Sequence, residues 1–159
     1  MAAKKTADQW FADYGESHQH RANEVIHWIC VPVIFACVMG FISVIPVPEA
    51  WQEAVPWFNW PLVAMAVVMP FYVRLSPALS AGMFFFMSLC YSGIVLLEAF
   101  APWPVGKICV IAFMLAWGGQ FVGHVIEGRR PSFFKDLVFL LVGPAWLMSK
   151  VYRKIGHPH

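Results

Sequence analysis

The chain has 159 residues, 60% of them hydrophobic and 13% charged, with a net charge of +2 and a mean hydropathy of +0.63. A soluble domain carries about 25% charged residues, so this composition points to a protein solvated by lipid, with residues 1–159 as one membrane domain. The small net charge, with no basic stripe interleaved with aromatics, excludes nucleic acid as a partner.

Residues 1–25 are polar with scattered aromatics. They predict a helix over 6–25 at the membrane surface, with Trp10, Phe11 and Tyr14 on one side. No apolar h-region precedes residue 26, so a cleaved signal peptide is not expected and the first span also directs insertion.

Residues 26–45 hold no charge and match the ~20 residues needed to cross a bilayer. Pro32 kinks that span without forbidding it. Residues 46–60, with Pro46, Pro48, Pro56, Glu49, Glu53 and three Trp, read as an interfacial loop and aromatic belt. Further spans are expected over 61–73, ended by Arg74 and Pro77, over 81–100, and over 103–122. Residues 137–149 are apolar, only 13 long and interrupted by Gly143-Pro144, which suits a re-entrant or interfacial segment. The expectation is an all-α transmembrane bundle of about four spans plus that segment, embedded over 26–149 with a polar tail at 150–159.

The four cysteines (Cys30, Cys37, Cys90, Cys109) lie inside apolar runs with no C-x-x-C pair and read as packing residues. Glu98 reads as snorkelling and Arg74 as a topology charge.

Orientation follows from Lys and Arg. Lys4, Lys5 and Arg21 precede the first span, Arg74 lies between the second and third, and Arg129, Arg130, Lys135, Lys150, Arg153 and Lys154 follow the fourth. Glu49, Glu53 and Glu98 mark the other face, with Lys107 the exception. Both termini are therefore expected in the cytosol, in the inner membrane of a bacterium or the endoplasmic reticulum of a eukaryote. That arrangement brings two polar stretches to one face, Tyr14 to His27 and Gln120 to Glu127. They contain His18, His20, His27 and His124; His157 and His159 lie in the tail.

Gln120, His124 and Glu127 at i, i+4 and i+7 share one helix face. His20, Asn23 and His27 at i, i+3 and i+7 do the same. On an unbroken helix His18 points nearly opposite to His27 and joins it only if the chain bends. Imidazole and carboxylate without thiolate suit Fe(II), Zn or Mn. Histidines from two helices leave metal positions open for substrate and dioxygen, as in non-haem iron oxygenases. The same ligands serve a zinc-dependent lipid hydrolase. A non-catalytic scaffold or lipid-binding protein would use these histidines only to cap helices at the interface. Glu127 can equally pair with Arg129 or Arg130, Tyr14 can anchor at the interface, and Asn23 can cap a helix.

The pattern Tyr14-x3-His18-x4-Asn23-x3-His27-x4-Pro32, followed by Gln120-x3-His124-x2-Glu127-x3-Pro131, resembles the 2-hydroxy-fatty-acid (2-hydroxypalmitate) dioxygenases of fungal α-oxidation and their bacterial relatives. The resemblance extends over nearly the whole chain; Cys30 departs from it, where many relatives have Gly. It implies an Fe(II)-dependent enzyme that takes a long-chain 2-hydroxy fatty acid and O2 and releases a fatty acid one carbon shorter. It further implies that His18, His27 and His124 hold the iron; His20, which the pattern does not place, is a fourth candidate ligand by its helical register with His27. Glu127 is then a ligand, a partner fixing His124, or a base for the 2-hydroxyl. Asn23 and Tyr14 join it as candidate catalytic residues, and Arg21, Arg129 and Arg130 as candidates to attract the substrate carboxylate.

Overall fold

A computed structural model describes residues 5–131 and 138–156. Lys4, Lys135, residue 137, His157 and His159, all used in the sequence reading, lie outside the described residues. Within them the chain is all helical: α1 (Ala7–Gly15), α2 (Arg21–Ser43), α3 (Glu49–Ala54), α4 (Trp60–Leu75), α5 (Pro77–Phe100), α6 (Val105–Glu127) and α7 (Phe139–Lys154).

Three of these, α2, α5 and α6, are long and apolar enough to cross a membrane. The segment expected as a further span, α4, has 16 residues, about 24 Å at 1.5 Å per residue against a hydrocarbon core of ~30 Å. Large apolar side chains such as Val67, Phe85 and Leu115 stand exposed on the outward faces. Lipid is the solvent that suits such a surface.

α2 and α6 form the closest pair and run antiparallel, because His27 near the start of α2 meets His124 near the end of α6, while Gly40 meets Cys109. Small residues let the backbones approach. A Cβ on Gly119 would sit 3.0 Å from Cys30 Sγ, and a Cβ on Gly40 or Gly123 would overlap Cys109 Sγ or Asn23 Oδ1. The four cysteines are free.

α4 and α5 join through Ser76, whose side chain caps α5 by accepting from the Leu79 N–H at 3.3 Å, with Pro77 in the first turn where its missing N–H costs nothing. Their buried face, with Tyr72, Leu79, Met83 and Met87, packs with Val142 and Ala145 of α7. The Tyr72 hydroxyl donates to the Leu141 carbonyl at 3.1 Å.

Two expectations change here. The surface helix over 6–25 is broken: α1 stops at Gly15 and α2 starts at Arg21. Its aromatic face is turned inward, with Phe11 and Tyr14 buried and Tyr14 packed edge-on to Trp146 of α7 at 5.3 Å. The 137–149 segment is not broken at Gly143-Pro144, because a single helix runs through both residues to Lys154. Phe139, Val142, Gly143 and Trp146 at i, i+3, i+4 and i+7 give it one continuous buried stripe.

Candidate metal centre

The break between α1 and α2 builds the site. After Gly15 the chain turns, with the His18 N–H donating to the Gly15 carbonyl at 3.0 Å. His20 then caps α2, its Nδ1 accepting from the Ala22 N–H at 3.2 Å. This bend brings His18 beside His27. The ring centroids are 4.3 Å apart for His18 and His27, and 5.0 Å for each of them with His124. One nitrogen from each ring lies within 4.8 Å of the others, and all three residues are buried.

Backbone carbonyls orient two of the rings. His18 Nδ1 lies 2.6 Å from the Tyr14 carbonyl and His27 Nδ1 lies 2.9 Å from the Asn23 carbonyl. A carbonyl can only accept, so both Nδ1 atoms carry a proton, and in the neutral ring Nε2 is then the nitrogen left to bind a metal. A hydrogen bond of this kind commonly sets the tautomer of metal-ligating histidines. Burial, with His27 adding to it, lowers the pKa of His18 to about 3, so its ring is neutral at pH 7. His18 Nε2 and His124 Nδ1 are buried without a hydrogen-bond partner. An unsatisfied buried polar atom costs about 1–3 kcal/mol, and a cation shared by the three rings would remove that cost. Three imidazoles without thiolate fit ferrous iron or zinc.

Behind the rings lies a framework of polar groups. Asn23 is fully buried; its Nδ2 donates to the Ser17 carbonyl at 3.0 Å and to Glu127 Oε2 at 3.2 Å. The Glu127 carboxylate also accepts from the backbone N–H groups of Gln19 at 2.9 Å and His20 at 2.8 Å. A carboxylate there satisfies N–H groups at the start of α2 and meets the positive end of its dipole. Glu127 thereby ties α6, which carries His124, to the turn that carries His18.

In front of the rings is a cavity of about 500 Å³, lined by apolar side chains of α2, α6 and α7 together with Tyr14, Gln120 and the three histidines. The Tyr14 ring stacks on His18 with centroids 4.1 Å apart, and burial raises its pKa above the usual phenol value, so it keeps its proton. Its hydroxyl lies against Gly143, where a Cβ would come within 2.9 Å of it.

The structure thus gathers His18, His27 and His124, with Tyr14 at the cavity and Asn23 and Glu127 behind. His20 stands apart: its register with His27 assumed one helix, whereas it sits outside α2, exposed, as the cap. Arg129 and Arg130 are exposed and line a second, more open hollow on the other side of His124. Arg21 is exposed on the first turn of α2. Sequence reasoning missed α7 as a wall of the site, including Trp146, whose ring lies 5.5 Å from His18. Lys150 lies 3.8 Å above Trp146 and pairs with Glu24 of α2 at 2.7 Å. The helical stripe in 139–146 is the signal that could have revealed it.

No curated protein and no solved structure matches the chain. A model of the family described as 2-hydroxy-palmitic acid dioxygenase Mpo1-like matches residues 4–155, and the chain belongs to that family.

Proposed function

We propose that the protein is an Fe(II)-dependent dioxygenase. It converts a long-chain 2-hydroxy fatty acid and O2 to the fatty acid one carbon shorter, at the cytosolic face of the membrane. The observation that carries this reading is the buried cluster of three histidines at the head of an apolar cavity, in a chain of this family.

His18, His27 and His124 would hold the iron. Bound ferrous iron would supply the redox chemistry that dioxygen requires and a Lewis-acidic seat for the carboxylate and 2-hydroxyl of the acid. The remaining work falls to the chain. Among the described residues of the cavity, the Tyr14 phenol, the Gln120 amide and the Trp117 indole N–H are the polar groups besides the histidines. In this reading the phenol and the amide hydrogen-bond the carboxylate and the hydroxyl. The apolar lining takes the alkyl chain and excludes water from the reacting carbons. Cleavage of the C1–C2 bond turns C2 into the new carboxyl, and with O2 as sole oxidant the atoms balance with C1 leaving as CO2 and one water.

Asn23 and Glu127 act by positioning. Asn23 holds His27 through its carbonyl, and the Glu127 carboxylate is engaged by three N–H groups. That engagement argues against the ligand and base roles for Glu127. Among the described residues no carboxylate lines the cavity, whereas a zinc hydrolase would need a base for its water. The test is O2 consumption with 2-hydroxypalmitate by the iron-loaded protein, with the shortened acid as product. The reading requires turnover in wild type and none in His124→Ala; hydrolysis of an ester lipid without O2 uptake would replace it.

A further inference from the structure

The cavity in front of the histidines has a direction. On α2 its wall is His27, Val31, Ile34 and Val38, and on α6 it is His124, Gln120, Trp117 and Phe113. Both rows follow the same four-three-four spacing, one face of each helix. Each runs eleven residues from histidine to last member, about 16 Å at 1.5 Å per residue. The polar groups gather at the histidine end, and past Gln120 these walls are apolar.

The far end has a floor. The Phe113 ring packs on Phe41 at 5.6 Å and on Trp117 at 5.0 Å, so it is held from behind and from the side. Phe35, on the side wall, is backed by Phe86 of α5 at 5.2 Å. Among the described residues the flank is open: α7 packs against α1, α2 and α5, and α6 is not among its close neighbours. Leu140 and Val38, both lining residues, are each 43% exposed. A slot about 16 Å long, floored by aromatics, headed by polar groups and open sideways, has the shape of one extended acyl chain. Its volume of about 500 Å³ is too small for the two chains of a phospholipid.

We infer that this slot holds a single acyl chain that slides in from the bilayer between α6 and α7, and that Val38 and Phe113 set the length of chain accepted. Which end of the acid faces the histidines rests on the dioxygenase reading; the slot and its floor do not. Filling the slot at Val38 removes about one helical turn of depth, 5.4 Å, or about four methylenes. Opening the floor at Phe113 adds a similar depth.

The test uses the full-length, iron-loaded protein in lipid vesicles and a series of 2-hydroxy acids of increasing length. Val38→Phe is expected to move the preferred length down by about four carbons and Phe113→Ala to move it up, each with at least about a tenfold change in the ratio of long to short substrate and with iron content at the wild-type level. A fatty acid carrying a photoreactive diazirine at its methyl end gives a readout independent of turnover. In the wild-type protein its label is expected within residues 38–41 or 113–117, located by mass spectrometry. Labelling elsewhere overturns the inference, as does an unchanged length preference in two variants that bind iron normally. If no 2-hydroxy acid is turned over but the label lands on the floor, the slot stands and the dioxygenase reading alone fails.

Discussion

At the far end of the α2/α6 pair, Gly40 lets Cys109 and Ile94 close over α2, with Cys37 and Val105 buried alongside. The side chains named there are small or apolar and pack closely, with only a thiol–thiol hydrogen bond between Cys37 and Cys109 among them. At the histidine end the same two helices bury Asn23, His27 and His124, groups that packing alone would reject. Asn23 and His27 are tolerated because the Asn23 amide donates to Glu127 and the Ser17 carbonyl, while the Asn23 backbone carbonyl accepts from His27. Three buried polar atoms, His18 Nε2, His124 Nδ1 and Asn23 Oδ1, remain unmatched by protein. One end closes upon itself, and the other is complete only with something added.

The largest effects separate the ends outright. His18→Ala, His27→Ala or His124→Ala should each remove bound metal and abolish turnover, while His20→Ala, which alters only a helix cap, should keep both. Metal analysis of the purified variants checks this, and loss of metal in His20→Ala would return His20 to the site. Next comes Glu127→Ala. Loss of an outer-shell partner typically costs 10–100-fold in metal affinity, and Glu127→Gln should fall between that variant and wild type, since an amide oxygen can still accept from the turn. A competition titration against a chelator measures both.

A matched pair of glycine substitutions sharpens the comparison. Gly123→Ala pushes against Asn23 and Gly40→Ala against Cys109, each costing about 1–3 kcal/mol by overpacking. Both should lower the midpoint of thermal unfolding. Gly123→Ala should also lower metal affinity, whereas Gly40→Ala should leave metal per folded chain unchanged. If the two behave alike, the ends are not as independent as described. The smallest effects are expected for Arg74→Gln and Glu98→Gln, both exposed, within about 0.5 kcal/mol in stability.

The long helices were readable because runs such as 26–45 and 81–100 are apolar on all sides, and lipid needs no tertiary information to be recognised as the solvent. His27 and His124 were readable as neighbours because charge bias placed both at one depth. The bend that delivers His18 was not readable. It depends on Phe11 and Tyr14 finding α7, a long-range contact invisible to local propensity. Without the bend, helical register favoured His20. α7 was hidden for the same reason: a 13-residue apolar run with an internal proline looks too weak to be a helix until Tyr72 and Trp146 are seen to pin it. The partners of Glu127 were not readable, because they are backbone N–H groups of Gln19 and His20, which leave no mark in a pattern of side chains.

The most direct test is the metal content of the wild-type protein, purified in detergent under anaerobic, reducing conditions, beside that of His124→Ala. About one iron per chain in the wild type, absent from a folded His124→Ala, is the expected result for a three-histidine site. A folded wild-type protein that takes up neither iron nor another transition metal would contradict it.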